Sequence, residues 1–312
     1  MAKLLSSNVA TFLGVFTASQ SVVGCITNTL VLLYFLLSRR SLSETADKLI
    51  LNLCIADFFA LVTYVPWRSY LLFLRTTTGN FKIYTSLFVV CIFSTGNAIL
   101  LIGFDRFIAV VWPLRYRVLI TSNVLWIAVV VSWLTAILLG VGHAVSYEID
   151  IHKEYELLLC ALSFSQLIIL SIIYAVILRT ARVQAREMAR RFGSFTSTTS
   201  NQHYSMKRTI RTTFLIVCFF YAVFLPYAVY RVVSTADKSI SNDEKHVTWR
   251  WLNAFTFLNS CFDPLIYFFG MKKYRTRFRQ RLSRINSETA EEMPALSNVT
   301  RESQCQLQSD VI

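Results

Sequence analysis

Seven apolar stretches, separated by short polar segments, occupy most of this 312-residue chain. About 20 apolar residues in a helix are enough to cross the hydrocarbon core of a bilayer, and each stretch is about that long or longer. Inside a bilayer, a single segment can satisfy its backbone hydrogen bonds only as a helix. The sequence therefore predicts an all-α fold, a seven-transmembrane helix bundle, with spans at residues 12–37, 48–74, 81–112, 124–145, 157–179, 209–234 and 247–270.

The distribution of charge predicts which ends of the spans face the cytoplasm. The segments 38–47, 113–123 and 180–208 are rich in Arg and Lys, as is the chain after residue 270, whereas the connections near residues 150 and 240 carry acids. Basic residues favour cytoplasmic loops, so we expect an extracellular N-terminus and a cytoplasmic C-terminus in the plasma membrane. This pattern accounts for the net charge of +13, and no nucleic acid is expected as a partner.

The two ends of the chain are predicted to differ in character from the bundle. Residues 1–11 are expected to form an extracellular N-terminus, and residues 12–270 the seven-transmembrane domain. Residues 271–284 combine basic residues with apolar ones at four-residue spacing, which favours a short amphipathic cytoplasmic helix on the surface of the lipid bilayer over a plain solvated tail. The polar residues 285–312 are predicted to form a disordered cytoplasmic tail.

Several ionisable side chains interrupt the apolar stretches. Asp105 and Arg106 are adjacent near the end of the third stretch, and Asp57 and Asp263 lie within the second and seventh. Because a charge facing hydrocarbon costs several kcal/mol, we expect these side chains to face the interior of the bundle or one of its ends. Asp57 and Asp263 together favour a shared cation or a shared proton. Polar residues inside a bundle can also serve only to hydrogen-bond helices together.

Two prolines are predicted to bend the sixth and seventh spans. Pro226 and Pro264 have no backbone N–H, so each removes one hydrogen bond from its helix. Phe220 and Phe224 lie one turn apart just before Pro226 and predict an aromatic stack beside the bend, and Tyr267 follows Pro264 closely. A bent helix of this kind can be a mechanical switch or can reflect an ordinary membrane proline.

In combination, these residues resemble the motifs of the rhodopsin-like (class A) G-protein-coupled receptors. The resemblance extends over residues 24–282 and is specific, because the motifs occur in the family's order at suitable separations. Residues 105–107 match the Asp-Arg-Tyr triplet, and residues 263–267 match the Asn-Pro-x-x-Tyr motif. Other matching residues are Gly24, Asn28, Asn52, Leu53, Ala56, Asp57, Pro113, Leu114, Trp133, Tyr174, Phe220 and Pro226.

This resemblance implies a receptor in which an extracellular agonist moves the sixth span outward and opens a cytoplasmic crevice for a heterotrimeric G protein. It implies that Asp105 holds Arg106 at rest and that Arg106 turns toward Tyr174 and Tyr267 on activation, while Leu114 inserts into the G protein. Arrestin and a receptor kinase are further partners of such receptors. The residues assigned to this switch are Asp105, Arg106, Leu114, Tyr174, Phe220, Phe224, Pro226, Asp263, Pro264 and Tyr267.

The resemblance also implies an allosteric Na⁺ ion in the resting state. Its expected ligands are Asp57, Thr95, Asn259 and Asp263. No other cofactor is expected, and no enzymatic activity, since the four histidines are assigned to loops without the spacing of a metal pair.

The sequence departs from the family pattern at informative positions. Phe81 stands where a cysteine is usual near the outer end of the third span, so we predict that the common loop disulfide is absent. Gln166 replaces a usual proline, and Phe224 replaces the usual tryptophan of the sixth span. The lack of this disulfide and proline, with Asp263 before Pro264, is similar to the melanocortin, cannabinoid and lysophospholipid receptors.

The ligand is predicted to be a lipid, a peptide or a small acid. A receptor for biogenic amines would need a carboxylate in the third span where this chain has Phe88. Aromatic walls with two arginines would suit an apolar molecule or short peptide with an acidic group. The same residues could instead be interfacial aromatics and snorkelling arginines. The predicted pocket residues are Trp67, Arg68, Tyr84, Phe88, Tyr227, Arg231 and Trp251.

A transporter or channel is the alternative function, in which Asp57 and Asp263 would carry ions. Transporters of this size usually contain paired repeats and broken half-helices, and the sequence shows no internal repeat. A receptor is therefore the preferred interpretation.

Overall fold

The computed structural model of the protein describes residues 7–37, 44–75, 80–192, 197–236, 241–270 and 276. These residues form helices and no strand. The helices are α1 (Ser7–Leu37), α2 (Thr45–Val62), α3 (Tyr64–Phe73), α4 (Phe81–Val111), α5 (Tyr116–Leu119), α6 (Ser122–Glu148), α7 (His152–Phe192), α8 (Ser197–Ala236), α9 (Asn242–Thr256) and α10 (Leu258–Gly270). The predicted amphipathic helix and tail, 271–312, lie outside the described residues apart from residue 276.

The helices account for all seven predicted spans. Within the described residues, six helical stretches are long and apolar enough to cross a membrane, and the second of them comprises α2 and α3. The seventh predicted span is divided at Phe257 into α9 and α10, so neither half reaches that length. The predicted all-α bundle of seven membrane-crossing segments is thus confirmed.

α4 is the central helix of the bundle. It packs against α2, α6, α7 and α8, while α1 packs against α2, α3 and α9, and α8 packs against α7 and α9. The chain divides into two compact units, Met1–Tyr267 and Phe268–Ile312, and these helix contacts belong to the first. Residues on α4 can therefore contact most of the other spans.

The outward faces of the helices are apolar, as a membrane requires. Large hydrophobic side chains are exposed along one face of α1 and of α6, including Val22, Ile26, Leu30, Leu36, Ile127, Val130, Leu134 and Leu138. A soluble protein would rarely leave so large a contiguous apolar surface uncovered, whereas hydrocarbon covers it without penalty. The protein is a multi-pass membrane protein.

Asn28 on α1 compensates for a hydrogen bond that Pro264 cannot make. Because Pro264 has no N–H, the carbonyl of Ser260 has no partner within α10. Asn28 Nδ2 donates to that carbonyl at 2.9 Å. Helix α10 continues through Pro264, and this span is divided at Phe257. The bend expected at Pro264 stays a prediction. Helix α8 likewise continues through Pro226.

The connection between α6 and α7 is shorter than the sequence predicted. α6 ends at Glu148 and α7 begins at His152, so His143 and Glu156, both assigned to a loop, are helical. The assignment was wrong because polar residues near a span end were taken to be in water, whereas here they bind each other across two helices. The six cysteines of the described residues are free.

Candidate functional site

One end of α4 carries an ionic cluster formed by Asp105, Arg106 and Tyr116. Arg106 Nε donates to Asp105 Oδ2 at 2.8 Å, and Arg106 Nη2 also pairs with that oxygen. Tyr116 OH, from α5, donates to Asp105 Oδ1 at 2.6 Å. Burial of the phenol, together with the nearby charge of Asp105, raises the pKa of Tyr116 to about 12, so its hydroxyl keeps its proton. Both oxygens of the Asp105 carboxylate are therefore occupied.

Three other predicted switch residues, Tyr174, Tyr267 and Leu114, do not bind the ionic cluster. Tyr174 and Tyr267 are buried, and neither hydroxyl makes a hydrogen bond of ordinary geometry with the described residues. Leu114, in the turn between α4 and α5, is 96% exposed. Arg106 is thus held by Asp105, with the phenol of Tyr174 nearby and the apolar side chain of Leu114 exposed.

A polar core surrounds Asp57 in the middle of the bundle. Asp57 Oδ1 accepts hydrogen bonds from Thr95 Oγ1 at 3.2 Å and from Ser260 Oγ at 2.8 Å. Asp57 Oδ2 and both oxygens of Asp263 have no hydrogen-bond partner within the described part of the chain. Asn259 is buried too, and its Nδ2 has no partner there. The structure brings Thr95 to Asp57 as predicted, adds Ser260, and leaves three carboxylate oxygens unmatched.

The two carboxyl groups of the polar core are close enough to interact electrostatically. Two ionised carboxylates that are fully buried cannot stay unpaired without a penalty of several kcal/mol. A proton on one or both carboxyl groups, or a bound small cation, would remove this penalty. The described residues contain no cluster of three or more His, Cys, Asp and Glu side chains that would suit a transition metal.

The opposite end of the bundle contains a cavity of about 640 Å³, which we call the aromatic cavity. Of the predicted pocket residues, Phe88, Tyr227 and Arg231 line it, and Phe224 lies at its floor. The predicted residues Trp67, Arg68, Tyr84 and Trp251 are not part of its lining. Trp251 instead packs on a cluster formed by Ala10, Leu13, Leu72 and Ala254, because α9 lies beside α1.

Stacked aromatic rings lead from the aromatic cavity into the bundle along α8. The rings of Phe220 and Phe224 stack with centroids 5.3 Å apart, at an interplanar angle of 12°. Tyr227 continues the series at 5.9 Å from Phe224, and Phe88 on α4 meets Tyr227 at 5.3 Å. The predicted stack before Pro226 is therefore present and is in contact with α4.

A network that the sequence did not predict joins four helices beside the aromatic cavity. Glu156 Oε2 on α7 pairs with Arg231 on α8. Glu156 Oε1 lies 3.1 Å from Nε2 of His143 on α6, and Nδ1 of His143 lies 3.1 Å from Ser86 Oγ on α4. Arg231, proposed to await an acidic ligand, is thus already paired with a carboxylate of the protein.

Arg68 lies behind the aromatic cavity, in what we call the Arg68 cluster. Its guanidinium donates to Asn253 Oδ1 and to the backbone carbonyl of Arg250, and it lies 5.8 Å from the ring centroid of Trp249. Tyr64 OH donates to the same Asn253 oxygen at 3.0 Å and lies 2.9 Å from Tyr84 OH. Trp249 also lines the aromatic cavity, so it touches both regions.

Five site residues were missed from the sequence. Tyr116, Ser260 and Asn253 carry no spacing signal, because each meets its partner only in the folded bundle. Glu156 could have been found, since residues 156, 159, 160 and 163 share one face of a helix once α7 is taken to begin at His152. His143 would then have followed as its neighbour across the short connection.

The chain is similar to known receptors along most of its length. The model of the family described as 7 transmembrane receptor (rhodopsin family) matches residues 27–267. The histamine H2 receptor of Canis lupus familiaris is 25% identical over 95% of this chain and 84% of its own length. Galanin receptor 2b of Danio rerio is 23% identical over 89% and 76%, and C-C chemokine receptor type 3 of Cavia porcellus is 25% identical over 84% and 76%.

Proposed function

The chain belongs to the rhodopsin family of seven-transmembrane receptors, and from that premise we propose that it converts binding of an extracellular ligand in the aromatic cavity into activation of a heterotrimeric G protein at the Asp105 end. Signalling through G proteins is general to this family, and its members are receptors rather than enzymes. The alternative of a transporter or channel is not retained, because the matching relatives are receptors for amines, peptides and chemokines. We infer a plasma-membrane location with the N-terminus outside.

The observation that carries this proposal is the placement of two different sites on one central helix. Phe88 and Asp105, at the two sites, are separated by about 26 Å at 1.5 Å per residue of α4. A ligand at the first site cannot touch Arg106. It can act on Arg106 only by favouring the active packing of the helices over the resting one. The size of this effect equals the difference between its free energies of binding to the two packings.

Arg106 is the proposed switch residue. In the resting arrangement Asp105 holds it, and Tyr116 occupies the second oxygen of that carboxylate. On activation, Arg106 would leave Asp105 and turn toward the hydroxyls of Tyr174 and Tyr267, both of which are buried. The exposed Leu114 would contact the G protein, and arrestin and a receptor kinase would act at the same end.

We also infer that the polar core binds Na⁺ in the resting state, with Asp57, Thr95, Asn259 and Asp263 as its ligands. The unmatched oxygens of Asp57 and Asp263 support this, because a small cation neutralises two carboxylates that no protein cation reaches within the described residues. Ser260 contributes indirectly, since its hydrogen bond orients the Asp57 carboxylate.

The ligand proposed for the aromatic cavity is a lipid, a peptide or a small acid rather than an amine. Two cations, Lys153 and Arg231, line the cavity, against the carboxylate of Glu156. Because Glu156 already binds Arg231 and His143, an amine would have to displace a protein cation. The free cysteines and Asp263 support placing the receptor near the melanocortin, cannabinoid and lysophospholipid receptors.

The test is nucleotide exchange on a panel of G proteins in membranes that contain the receptor, compared with membranes that lack it. Exchange is measured without ligand and with a library of lipids, peptides and small acids. We expect Arg106→Ala to abolish the exchange that the wild type supports, because the proposed active arrangement needs the guanidinium of Arg106 to turn toward Tyr174 and Tyr267, while surface expression is retained.

Lys82→Gln is the matched control. It also removes a cation from an ion pair, that of Lys82 with Glu148, but at the opposite end of the bundle. Its exchange should equal that of the wild type. Failure of the wild type to support exchange on any G protein of the panel would refute the proposed function, and equal exchange by Arg106→Ala would refute the role of Arg106.

A further inference from the structure

Arg68 is a buried cation without a counter-charge. Its side chain is 2% exposed, and the partners it has are neutral: an amide oxygen, a backbone carbonyl and an indole ring. The ion pairs of the described residues join Lys82 to Glu148, Arg106 to Asp105, and Arg231 and His143 to Glu156. None of them includes Arg68. A guanidinium removed from water in this way is unfavourable by several kcal/mol unless an anion approaches it.

A second cation lies beside the first. Arg250, on α9, is partly buried and close enough to Arg68 for the two guanidinium groups to repel each other. Its own backbone carbonyl is the oxygen that Arg68 binds. Two neighbouring arginines without a carboxylate between them form an arrangement that proteins commonly use to bind anions.

The hydrogen-bond donors of the Arg68 cluster also outnumber its acceptors. Asn253 Oδ1 accepts from both Arg68 and Tyr64, so one oxygen serves two donors. Arg68 Nε and Asn253 Nδ2 are both buried and have no acceptor within the described residues. Buried donors are nearly always paired in folded proteins. Within the described residues, the Arg68 cluster therefore lacks both a hydrogen-bond acceptor for these donors and a negative charge for Arg68.

We propose that the Arg68 cluster is a carboxylate-binding subsite, in which Arg68 and Arg250 bind the acidic group of a ligand whose apolar body occupies the aromatic cavity. This proposal deepens the proposed function. It rests on the proposed function in one respect, namely that the bound acid acts as an agonist. A carboxylate offers up to four acceptor positions, which suits the free edge of Arg68 and the free amide hydrogens of Asn253. Trp249 lies at the junction, since its ring contacts Arg68 and lines the cavity.

The structure distinguishes between the two arginines that the sequence suggested for binding an acidic ligand. Arg231 and Arg68 were both candidates for binding an acid, but Arg231 is neutralised by Glu156. An acidic group at Arg231 would have to displace a protein carboxylate, whereas at Arg68 it would meet unmatched donors. The geometry therefore favours Arg68.

Thermal unfolding of the purified full-length receptor in lipid nanodiscs tests the subsite without a G protein. The probes are 4-phenylbutanoate and two molecules of equal size, 4-phenylbutanol and 4-phenylbutylammonium, all at millimolar concentration. A second pair, acetyl-Leu-Phe as the free acid and as its amide, separates a peptide carboxylate from that of a lipid-like acid. We expect at least one acid to raise Tm, and its neutral and cationic counterparts not to.

Three variants locate the binding. Arg68→Gln should remove the shift in Tm that the acid produces, and Arg250→Gln should weaken binding about tenfold, which keeps the test usable if Arg68→Gln fails to fold. Lys82→Gln, which removes a cation from an ion pair outside the subsite and the aromatic cavity, should respond as the wild type does. A shift that persists in Arg68→Gln, or an equal shift from the acid and the alcohol, overturns the proposal, as does the absence of a shift from both acids.

One further pair of variants tests whether the counter-charge is internal. Asp237, before α9, and Asp243, in the first turn of α9, are acids whose side chains lie outside the described residues. Each is replaced by Asn. If either replacement destabilises the receptor and Arg68→Gln reverses the effect, the anion belongs to the protein and the subsite is refuted. A receptor that binds the acid at Arg68 but never activates a G protein would refute the proposed function and leave the subsite standing.

Discussion

The polar core and the Arg68 cluster have opposite imbalances of charge. In the polar core, two carboxylates are buried with three oxygens unmatched, and no cation of the described residues reaches them. In the Arg68 cluster, a guanidinium and an amide are buried with unmatched hydrogens, and no carboxylate of those residues reaches them. An unmatched buried charge destabilises the fold on its own. The two proposals above supply the missing partner from outside the chain, a cation for the first position and an acid for the second.

Two ion pairs of the bundle, in contrast, have both charges supplied by the protein. Asp105 with Arg106 and Glu156 with Arg231 are balanced within the protein, at opposite ends of the bundle. Each pair joins different structural elements through a third residue, Tyr116 in one and His143 in the other. Balanced pairs of this kind stabilise one packing of the helices, and a ligand can act on them only by changing that packing.

The largest effect should follow from unbalancing a matched pair. Replacing Glu156 by Gln leaves Arg231 without its counter-charge. The two side chains are 18% and 24% exposed, so we expect the loss to cost up to about 3 kcal/mol, the lower end of the range for a fully buried pair. We expect a clear fall in the Tm of the purified receptor in nanodiscs. The double variant Glu156→Gln/Arg231→Gln has no unpaired charge and should recover much of the loss.

This prediction also sharpens the contrast between Arg231 and Arg68. If Glu156→Gln destabilises the receptor no more than Lys82→Gln does at its exposed pair with Glu148, then the Glu156 pair is not a structural contact. Arg231 would in that case be as available to a ligand as Arg68, and the distinction between matched and unmatched arginines would fail.

An intermediate effect is expected from Na⁺ at the polar core. A ligand that binds only the folded state stabilises it by about 2.7 kcal/mol when present at a hundred times its Kd. The wild type should therefore unfold at a higher temperature in NaCl than in the chloride of a large organic cation. Asp57→Asn should remove this difference, because it removes a charge on which the cation depends.

The control for the polar core is Ser260→Ala, which removes one hydrogen bond to Asp57 and leaves both carboxylates in place. It should keep the response to Na⁺, although with a weaker affinity. A wild-type receptor with equal Tm in the two salts would contradict the Na⁺ site and favour a proton shared by Asp57 and Asp263.

The sequence predicted the fold and the depth of most polar residues, but not their pairing. Span number follows from the length of apolar segments, which is a local property, and so does the position of Asp105 and Arg106 at the end of a span. The partners depend on how helices rotate about their axes. Tyr116 and Ser260 therefore escaped notice, although each bonds a carboxylate that the sequence had singled out.

The predicted ligand pocket shows the same limit. Seven residues were chosen because they are aromatic or basic and lie near the correct ends of the spans, yet three of them line the aromatic cavity. Helix α9 turns Trp251 toward α1, and α3 turns Arg68 toward Asn253. Membrane depth could be inferred from sequence position, whereas the direction in which each side chain faces could not.

The smallest effect is expected from Tyr116, which is the neutral member of the ionic cluster. Its hydroxyl donates to Asp105 at 2.6 Å, and a hydrogen bond to a charged group contributes about 1.5 kcal/mol. If this bond stabilises only the resting arrangement, Tyr116→Phe should raise ligand-independent nucleotide exchange by up to about tenfold.

Tyr155→Phe is the matched control, since it removes the hydrogen bond from Tyr155 to the Leu139 carbonyl near the aromatic cavity and should leave exchange unchanged. Equal exchange by the two variants would mean that Asp105 restrains Arg106 without help from α5, and the ionic cluster would then reduce to a pair of adjacent residues on α4.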